Sequence, residues 1–116
     1  MRVRTKIWLE TDDGRPVLGD GRLEILDAIS RTGSLSAAAR ELGMSYRSLW
    51  GKVRNAEERL GVPLVRGVAG GEQHGGSSLT EEAIELIAAF TAFRAKAEAA
   101  VGALAAEALR GHLPRR

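Results

Sequence analysis

The chain has 116 residues, a formal net charge of +2, 44% hydrophobic residues and 28% charged residues. This length accommodates a single domain with a small core, and the composition is that of a globular protein rather than a disordered chain. The chain contains no cysteine, which excludes disulfide frameworks, thiolate catalysis and cysteine-based zinc or iron–sulfur sites.

The amino terminus gives no sign of a targeting or membrane segment. The first residues, MRVRTKIWLETDDG, lack the long apolar core and the small-residue cleavage pattern of a signal peptide. No apolar run approaches the roughly 18 residues of a membrane-spanning helix. We therefore expect a cytoplasmic protein without a membrane partner.

Residues 1–19 predict a small N-terminal β-hairpin. Apolar and polar side chains alternate over residues 3–9, which is the pattern of a half-buried strand. Turn-forming residues occupy positions 12–16, and residues 17–18 are placed to pair back with the first strand.

Residues 20–43 predict two short helices. Asp20 precedes the first helix, whose apolar residues recur at helical spacing, and Gly33 ends it as a left-handed cap. The second helix has Ser34 or Ser36 as its N-cap and carries three consecutive alanines. Alanines in this position allow a neighbouring helix to approach closely.

A third helix, followed by two short strands around a glycine-rich loop, completes the predicted helix-turn-helix and wing of residues 20–79. Ser45 begins this helix, which runs to about Leu60 with its apolar residues on one face. The strands are predicted at residues 64–68 and 78–79. The segment between them is predicted to be a loop, because it is too rich in glycine to hold regular structure unaided.

Residues 80–111 predict one long C-terminal helix. Thr80 and the two glutamates that follow it form a favourable start, since acidic residues complement the helix dipole. Apolar residues recur every three or four positions from Leu86 to Ala108 and form a seam. A helix of about 30 residues outruns the core of so small a domain, so we expect part of this seam to contact another chain.

The third helix also carries a candidate ligand-binding face. A turn of about 100° per residue places Arg47 and Arg54 opposite the apolar stripe, with Tyr46 and Trp50 on its flank. Arginine bonds guanine bidentately in the major groove of DNA, and hydroxyls and aromatics contact base edges and phosphates. The alternative is that both aromatics belong to the core and both arginines are solvated charges.

Three further candidates come from the predicted wing. Arg66, Gln73 and His74 are placed to reach a minor groove or a phosphate backbone if strand, loop and strand form the wing of a winged helix. The alternative is a mobile loop that makes no fixed contact.

The run GDGRLEILDAISRTGSLSAAARELGMSYRSLWGKVRNAEERLGVPLVRGVAGGEQHGGSSLTEEA resembles the N-terminal DNA-binding domain of ModE-type molybdate-responsive regulators, itself similar to the LysR-type winged helix. The resemblance covers most of residues 3 to 90 and lies in G-S-x-S-A-A-A, M-S-Y-R-x-x-W and the glycine-rich segment before L-T. It implies a mainly α fold with small β, in which a winged helix-turn-helix lies between an N-terminal β-hairpin and a long C-terminal dimerisation helix.

The same resemblance implies a dimeric transcription factor that places the third helix of each protomer in successive major grooves of double-stranded DNA. The candidates near the phosphate backbone and on the groove side are, by matching position, Ser34, Ser36, Ser45, Tyr46, Arg47, Trp50 and Arg54.

Catalytic and metal chemistry find no support in the sequence. His74 and His112 lie far apart, without a cysteine or acidic partner at metal-ligand spacing. No G-x-x-x-x-G-K phosphate loop occurs. The paired glutamates at 57–58 and 81–82 lie beside basic residues or at a helix start, where solvation and capping explain them. We expect no enzyme activity, cofactor or metal.

Full ModE-type regulators continue into C-terminal oxyanion-binding modules, whereas this chain ends at Arg116 after an alanine-rich helix. We therefore expect the DNA-binding domain alone. Two alternatives stay open. One is a protein-interaction module that uses Tyr46 and Trp50 to hold a protein partner. The other is a small regulator that binds molybdate or tungstate itself, at the backbone amides of residues 70–76 or at the dimer seam.

Overall fold

The structure, a computed structural model, describes residues 1–67 and 76–114. Its helices and strands confirm the predicted class, mainly α with small β. In chain order they are β1 Leu9–Glu10, β2 Pro16–Leu18, α1 Asp20–Thr32, α2 Leu35–Leu42, α3 Tyr46–Leu60, β3 Val65–Arg66, β4 Ser78–Leu79 and α4 Glu81–Ala108. The chain divides into two compact units, one formed by residues 8–87 and the other by residues 1–7 with the chain from Ala88 onward.

The N-terminal hairpin is present, but its first strand is shorter than predicted. β1 pairs antiparallel with β2, with Leu9 opposite Leu18, and residues 3–8 form no strand. β2 has only three residues for pairing. It begins at Pro16, which has no backbone N–H to donate, and it is followed at once by Gly19, the N-cap of α1. The alternation over residues 3–8 therefore has no strand to pair with in the hairpin.

Glycine and serine caps define the two helices that follow. Gly33 ends α1 in the predicted left-handed conformation, with φ of 73°. The N-cap of α1 is Gly19, so Asp20 lies inside the first turn instead of before it. Ser34, rather than Ser36, caps α2, and its hydroxyl accepts a hydrogen bond from the backbone N–H of Ala37 at 3.1 Å.

The core of residues 8–87 is built from β2, the three helices α1–α3, the start of the wing and the start of α4. Its largest fully buried side chains come from β2, α1, α2, α3 and the segment just before β3: Leu18, Ile29, Leu35, Leu49 and Leu64. Full burial of one such side chain contributes about 1.5–3 kcal/mol. Hairpin, three helices and wing are therefore held by one shared core.

α4 is a single helix of 28 residues. Thr80 caps its start, because its hydroxyl accepts a hydrogen bond from the N–H of Ala83 at 3.0 Å. The helix ends at Ala108, three residues before the predicted end, and Gly111 has a φ of 81°. Within the described parts of the chain, no helix is long and apolar enough to cross a membrane.

Candidate nucleic-acid interface

α3 has one buried stripe and one exposed face. Its start is fixed by Ser45, whose hydroxyl accepts a hydrogen bond from the N–H of Ser48 at 3.0 Å. Apolar side chains of α3 are buried at Leu49, Val53 and Ala56. We call the opposite, exposed face the outer face of α3; it is formed by Arg47, Gly51, Arg54 and Glu58. The helical spacing predicted from the sequence is confirmed.

The two aromatic residues of α3 lie at the border between the stripe and the outer face. Tyr46 and Trp50 are half-buried, so neither is a fully buried core aromatic. The guanidinium carbon of Arg54 lies 5.6 Å from the centroid of the Trp50 ring, within the range of a cation–π interaction. Trp50 therefore supports Arg54 at the edge of the exposed surface.

The serines of α2 lie at its amino end. Ser34 and Ser36 are both half-buried. The Ser34 oxygen accepts the capping hydrogen bond, and a hydroxyl in this state still has its own O–H to donate. Hydroxyl donors at a helix start suit an anionic partner, since the N-terminal end of a helix favours negative charge.

The wing strands are present, although Leu64 and Gly67, which were predicted as strand residues, lie outside β3, and Arg66 is in solvent. β3 and β4 pair antiparallel with Arg66 opposite Ser78, and Arg66 is exposed. Gly67 has a φ of 81°, and a Cβ at this position would clash with the carbonyl oxygen of Gly76, so the close approach requires glycine. The other two wing candidates, Gln73 and His74, lie outside the described residues.

The wing is tied to the helices by backbone contacts. Just before β4, the N–H of Ser77 donates to the carbonyl oxygen of Gly33 at 2.8 Å, at the turn between α1 and α2. After β4, the N–H of Thr80 donates to the carbonyl oxygen of Leu64 at 2.9 Å. These bonds hold both ends of β4 close to the helix-turn-helix.

An exposed ion-pair cluster joins α1 to α2. The Nε of Arg31 lies 2.8 Å from an Asp27 carboxylate oxygen, and another guanidinium nitrogen contacts the Glu41 carboxylate. A hydrogen bond to Glu41 and a weaker contribution from the hydrogen bond to Asp27 raise the pKa of Arg31. The hydrogen bond from Arg31 lowers the pKa of Glu41. This arginine is therefore engaged by carboxylates of its own chain.

Two polar contacts of α3 were not predicted from the sequence. Glu57, interpreted above as a solvated charge, instead accepts hydrogen bonds from the N–H groups of Leu64 and Val65 at 2.7 and 3.2 Å. That interpretation is wrong because the chain turns back beyond the helix end and brings two backbone donors to the carboxylate. Arg59 donates to the carbonyl oxygen of Pro16 in β2. A carboxylate shortly before a Gly-x-Pro helix end was the available signal for Glu57.

Residues 21–84 match the family model of the bacterial regulatory helix-turn-helix protein, lysR family. The chain belongs to this family. The match includes almost all of α1, all of α2 and α3, and both wing strands. Every candidate residue from Ser34 to His74 lies inside the matched segment.

Curated relatives of this lysR-family chain confirm the resemblance to ModE-type regulators. It is 45% identical over 78 residues to the molybdenum-pterin-binding protein MopB of Rhodobacter capsulatus, covering 67% of this chain and 29% of MopB. It is 34% identical over 103 residues to the molybdenum transport protein ModE of Azotobacter vinelandii, covering 89% of this chain and 38% of ModE. The chain thus spans about a third of the length of these relatives.

A solved structure supports the fold. The BenM DNA-binding domain, in its complex with benA site 1 DNA, superimposes with a TM-score of 0.52 at 21% sequence identity, covering 79% of this chain and 97% of that one. The winged helix-turn-helix fold of this lysR-family chain is thereby confirmed. Among the described residues, no group of three or more His, Cys, Asp and Glu side chains is placed to hold a metal ion.

Proposed function

We propose that this lysR-family chain is a sequence-specific, double-stranded-DNA-binding transcriptional regulator that inserts the amino-terminal part of the outer face of α3, within residues 45–54, into the major groove. One observation carries the proposal. Arg47 and Arg54 are exposed on the face opposite the buried stripe of α3, and Trp50 supports Arg54. Exposed guanidinium groups on a helix of fixed orientation suit direct contact with guanine and phosphate.

Each candidate residue has a stated role in this proposal. Arg47, near the amino end of α3, contacts bases, and Tyr46 and Arg54 contact bases or adjacent phosphates. Hydroxyls near the helix starts donate to phosphates; these are Ser34, Ser36 and Ser45. Arg66 contacts the phosphate backbone from the wing, and Gln73 and His74 are assigned to the same wing contact.

A homodimer is the second part of the proposal. On α4, Phe93 and Leu104 are 51% and 64% exposed, although they belong to the predicted apolar seam. Pairing of two such seams covers these side chains and gives the protein a two-fold axis. A two-fold dimer recognises a partly palindromic operator, with one α3 in each half-site.

DNA as the partner also argues for a cytoplasmic protein and against a catalytic role. The molybdenum named in the two relatives is theirs, and this chain spans about a third of their length. We propose no oxyanion site on the described residues. Calorimetry with molybdate, tungstate and sulfate checks this, because heat and thermal stabilisation by one of them would favour the oxyanion-binding alternative.

A fluorescence-anisotropy titration with mixed genomic duplexes tests the proposal. Binding should weaken by at least about tenfold between 50 and 200 mM salt, because each neutralised phosphate releases counterions. Recovery of bound genomic fragments should then give a partly palindromic site. A protein-interaction module would show no salt-sensitive DNA binding, and that result would overturn the proposed function.

A further inference from the structure

Glu57 makes hydrogen bonds within the protein that have no role in the proposed contact with DNA. One oxygen of its carboxylate accepts hydrogen bonds from two consecutive backbone amides, those of Leu64 at 2.7 Å and Val65 at 3.2 Å. Glu57 belongs to α3, and Val65 is the first residue of β3. A hydrogen bond to a charged acceptor is roughly twice as strong as a neutral one. The carboxylate therefore fastens the first wing strand to α3.

The same short segment is held from its other side by Thr80. The Thr80 hydroxyl donates to the carbonyl oxygen of Pro63 at 2.8 Å, and its N–H donates to the carbonyl oxygen of Leu64 at 2.9 Å. Leu64 is thus held through its N–H by Glu57 and through its C=O by Thr80, and its side chain is buried. Arg66 lies two residues further along the chain.

We propose that Glu57 is a positioning residue that sets the wing against the outer face of α3, so that Arg66 and the α3 arginines engage one duplex together. This inference rests on the proposed function. Glu57 acts through the backbone of residues 64–65 and not by touching DNA. Loss of the carboxylate should let β3 shift relative to α3, so that the phosphate contact of Arg66 is weakened.

The neighbouring residue provides a matched control. Glu58 is exposed near the carboxyl end of α3, beyond the residues 45–54 that are assigned to the groove, and Glu58→Gln removes one negative charge, as Glu57→Gln does. Electrostatics alone predicts tighter DNA binding for both variants, because each removes a charge that repels phosphates. Positioning instead predicts weaker DNA binding for Glu57→Gln and no weakening for Glu58→Gln. We expect Glu57→Gln to bind duplex DNA about fivefold more weakly and Glu58→Gln to bind it as tightly as the wild type or more tightly.

Two further readouts separate positioning from a general loss of stability. Glu57→Gln should reduce the slope of log K against log salt by about 0.9, as expected for loss of one phosphate contact and as for Arg66→Ala. In an Arg66→Ala background, Glu57→Gln should cause no further weakening, since the contact that it positions is absent. Titrations well below the melting temperature of each variant keep the folded fraction constant.

A measurement without DNA keeps this inference distinct from the proposed function. Hydrogen exchange at the amides of Leu64 and Val65 should be roughly fivefold to tenfold faster in Glu57→Gln, with little change at the Leu49 amide. If the wild type binds no duplex, the proposed function fails, and exchange still decides whether Glu57 holds β3. Unchanged exchange at both amides overturns the inference. Equal tightening by Glu57→Gln and Glu58→Gln, or undiminished weakening in the Arg66→Ala background, also overturns it.

Discussion

α3 and α4 differ in how completely this chain covers their apolar side chains. The apolar stripe of α3, including Leu49 and Val53, is at most 2% exposed. On α4, Phe93 and Leu104 are more than half exposed, although their helical spacing also predicts a contact face. A periodic apolar pattern alone therefore does not predict that the same chain buries the face.

The difference also separates two kinds of exposed surface. The outer face of α3 is polar and basic, with Arg47 and Arg54 in solvent, so water satisfies it and an anionic ligand can replace that water. α4 instead exposes large apolar side chains, among them Phe93 and Leu104, and exposed apolar surface favours a protein contact. The first surface is the one proposed to contact DNA, and the second is the one proposed to form the homodimer.

Truncation of a buried residue of α3 is expected to give the largest effect. Leu49 is fully buried, so Leu49→Ala should lower the free energy of unfolding by about 2–5 kcal/mol, through lost apolar contact and a cavity. Urea denaturation followed by circular dichroism measures this. The matched control is Leu104→Ala on α4, which should cause a much smaller loss at concentrations where the chain is monomeric. Equal losses would contradict the distinction between the two helices.

A charge in the α4 seam should act on assembly more than on the helix-turn-helix. Phe93→Glu places a carboxylate among the exposed apolar side chains, and we expect the dimer dissociation constant to rise at least about tenfold, or about 1.4 kcal/mol. Sedimentation equilibrium measures the change. Ala95→Glu introduces the same charge at an exposed position on the opposite face of α4, and it should leave assembly nearly unchanged. A wild type that stays monomeric would refute the proposed dimer.

Helix positions and most of the caps could be predicted from the sequence because local interactions determine them; the exception is the start of α1, where Gly19 rather than Asp20 is the N-cap. Gly33 and Ser45 cap their helices as expected, since backbone conformation and side-chain hydrogen bonding at a cap depend on neighbouring residues. The strand over residues 3–8 was predicted wrongly, because strand pairing depends on a partner elsewhere in the chain and β2 offers only three residues.

The exposed residues of the candidate site could be predicted from the sequence, but the contacts that hold them in place could not. Helical spacing is enough to place Arg47 and Arg54 opposite the stripe of α3. Spacing cannot show that the Glu57 carboxylate meets the N–H groups of Leu64 and Val65, because that contact depends on the path of the chain after α3. Nor does it show the half-burial of Trp50, which depends on packing between elements.

On the outer face of α3, Arg47→Ala should weaken binding to the selected operator by about 1–3 kcal/mol and relax base preference. Arg66→Ala, on the wing, should weaken operator and random duplexes more uniformly, because a phosphate contact carries no direct sequence information. Anisotropy titrations of both variants against operator and scrambled duplexes measure the difference. Equal losses on the two duplexes for Arg47→Ala would contradict its assignment as a base-contacting residue.

The smallest effect is expected at the ion pair between α1 and α2, which is held by charge rather than by apolar contact. Arg31 lowers the pKa of Glu41 from its ordinary value of 4.5, so the folded state binds this proton less readily than the unfolded state. The stabilisation is therefore fully present above about pH 4.5 and is lost as the pH falls through the lowered pKa. Both side chains are exposed, so solvent and salt screening keep the contribution small.

Glu41→Gln should be slightly less stable than the wild type at neutral pH and equally stable in strong acid, where the Glu41 carboxyl is protonated. Thermal melts of both proteins across this pH range measure the difference. In an Arg31→Ala background the same substitution should show little of this pH dependence, because the partner that lowers the pKa of Glu41 is absent. A stability difference that grows toward acid would have the wrong sign, and it would show that this ion pair does not help to hold α2 against α1.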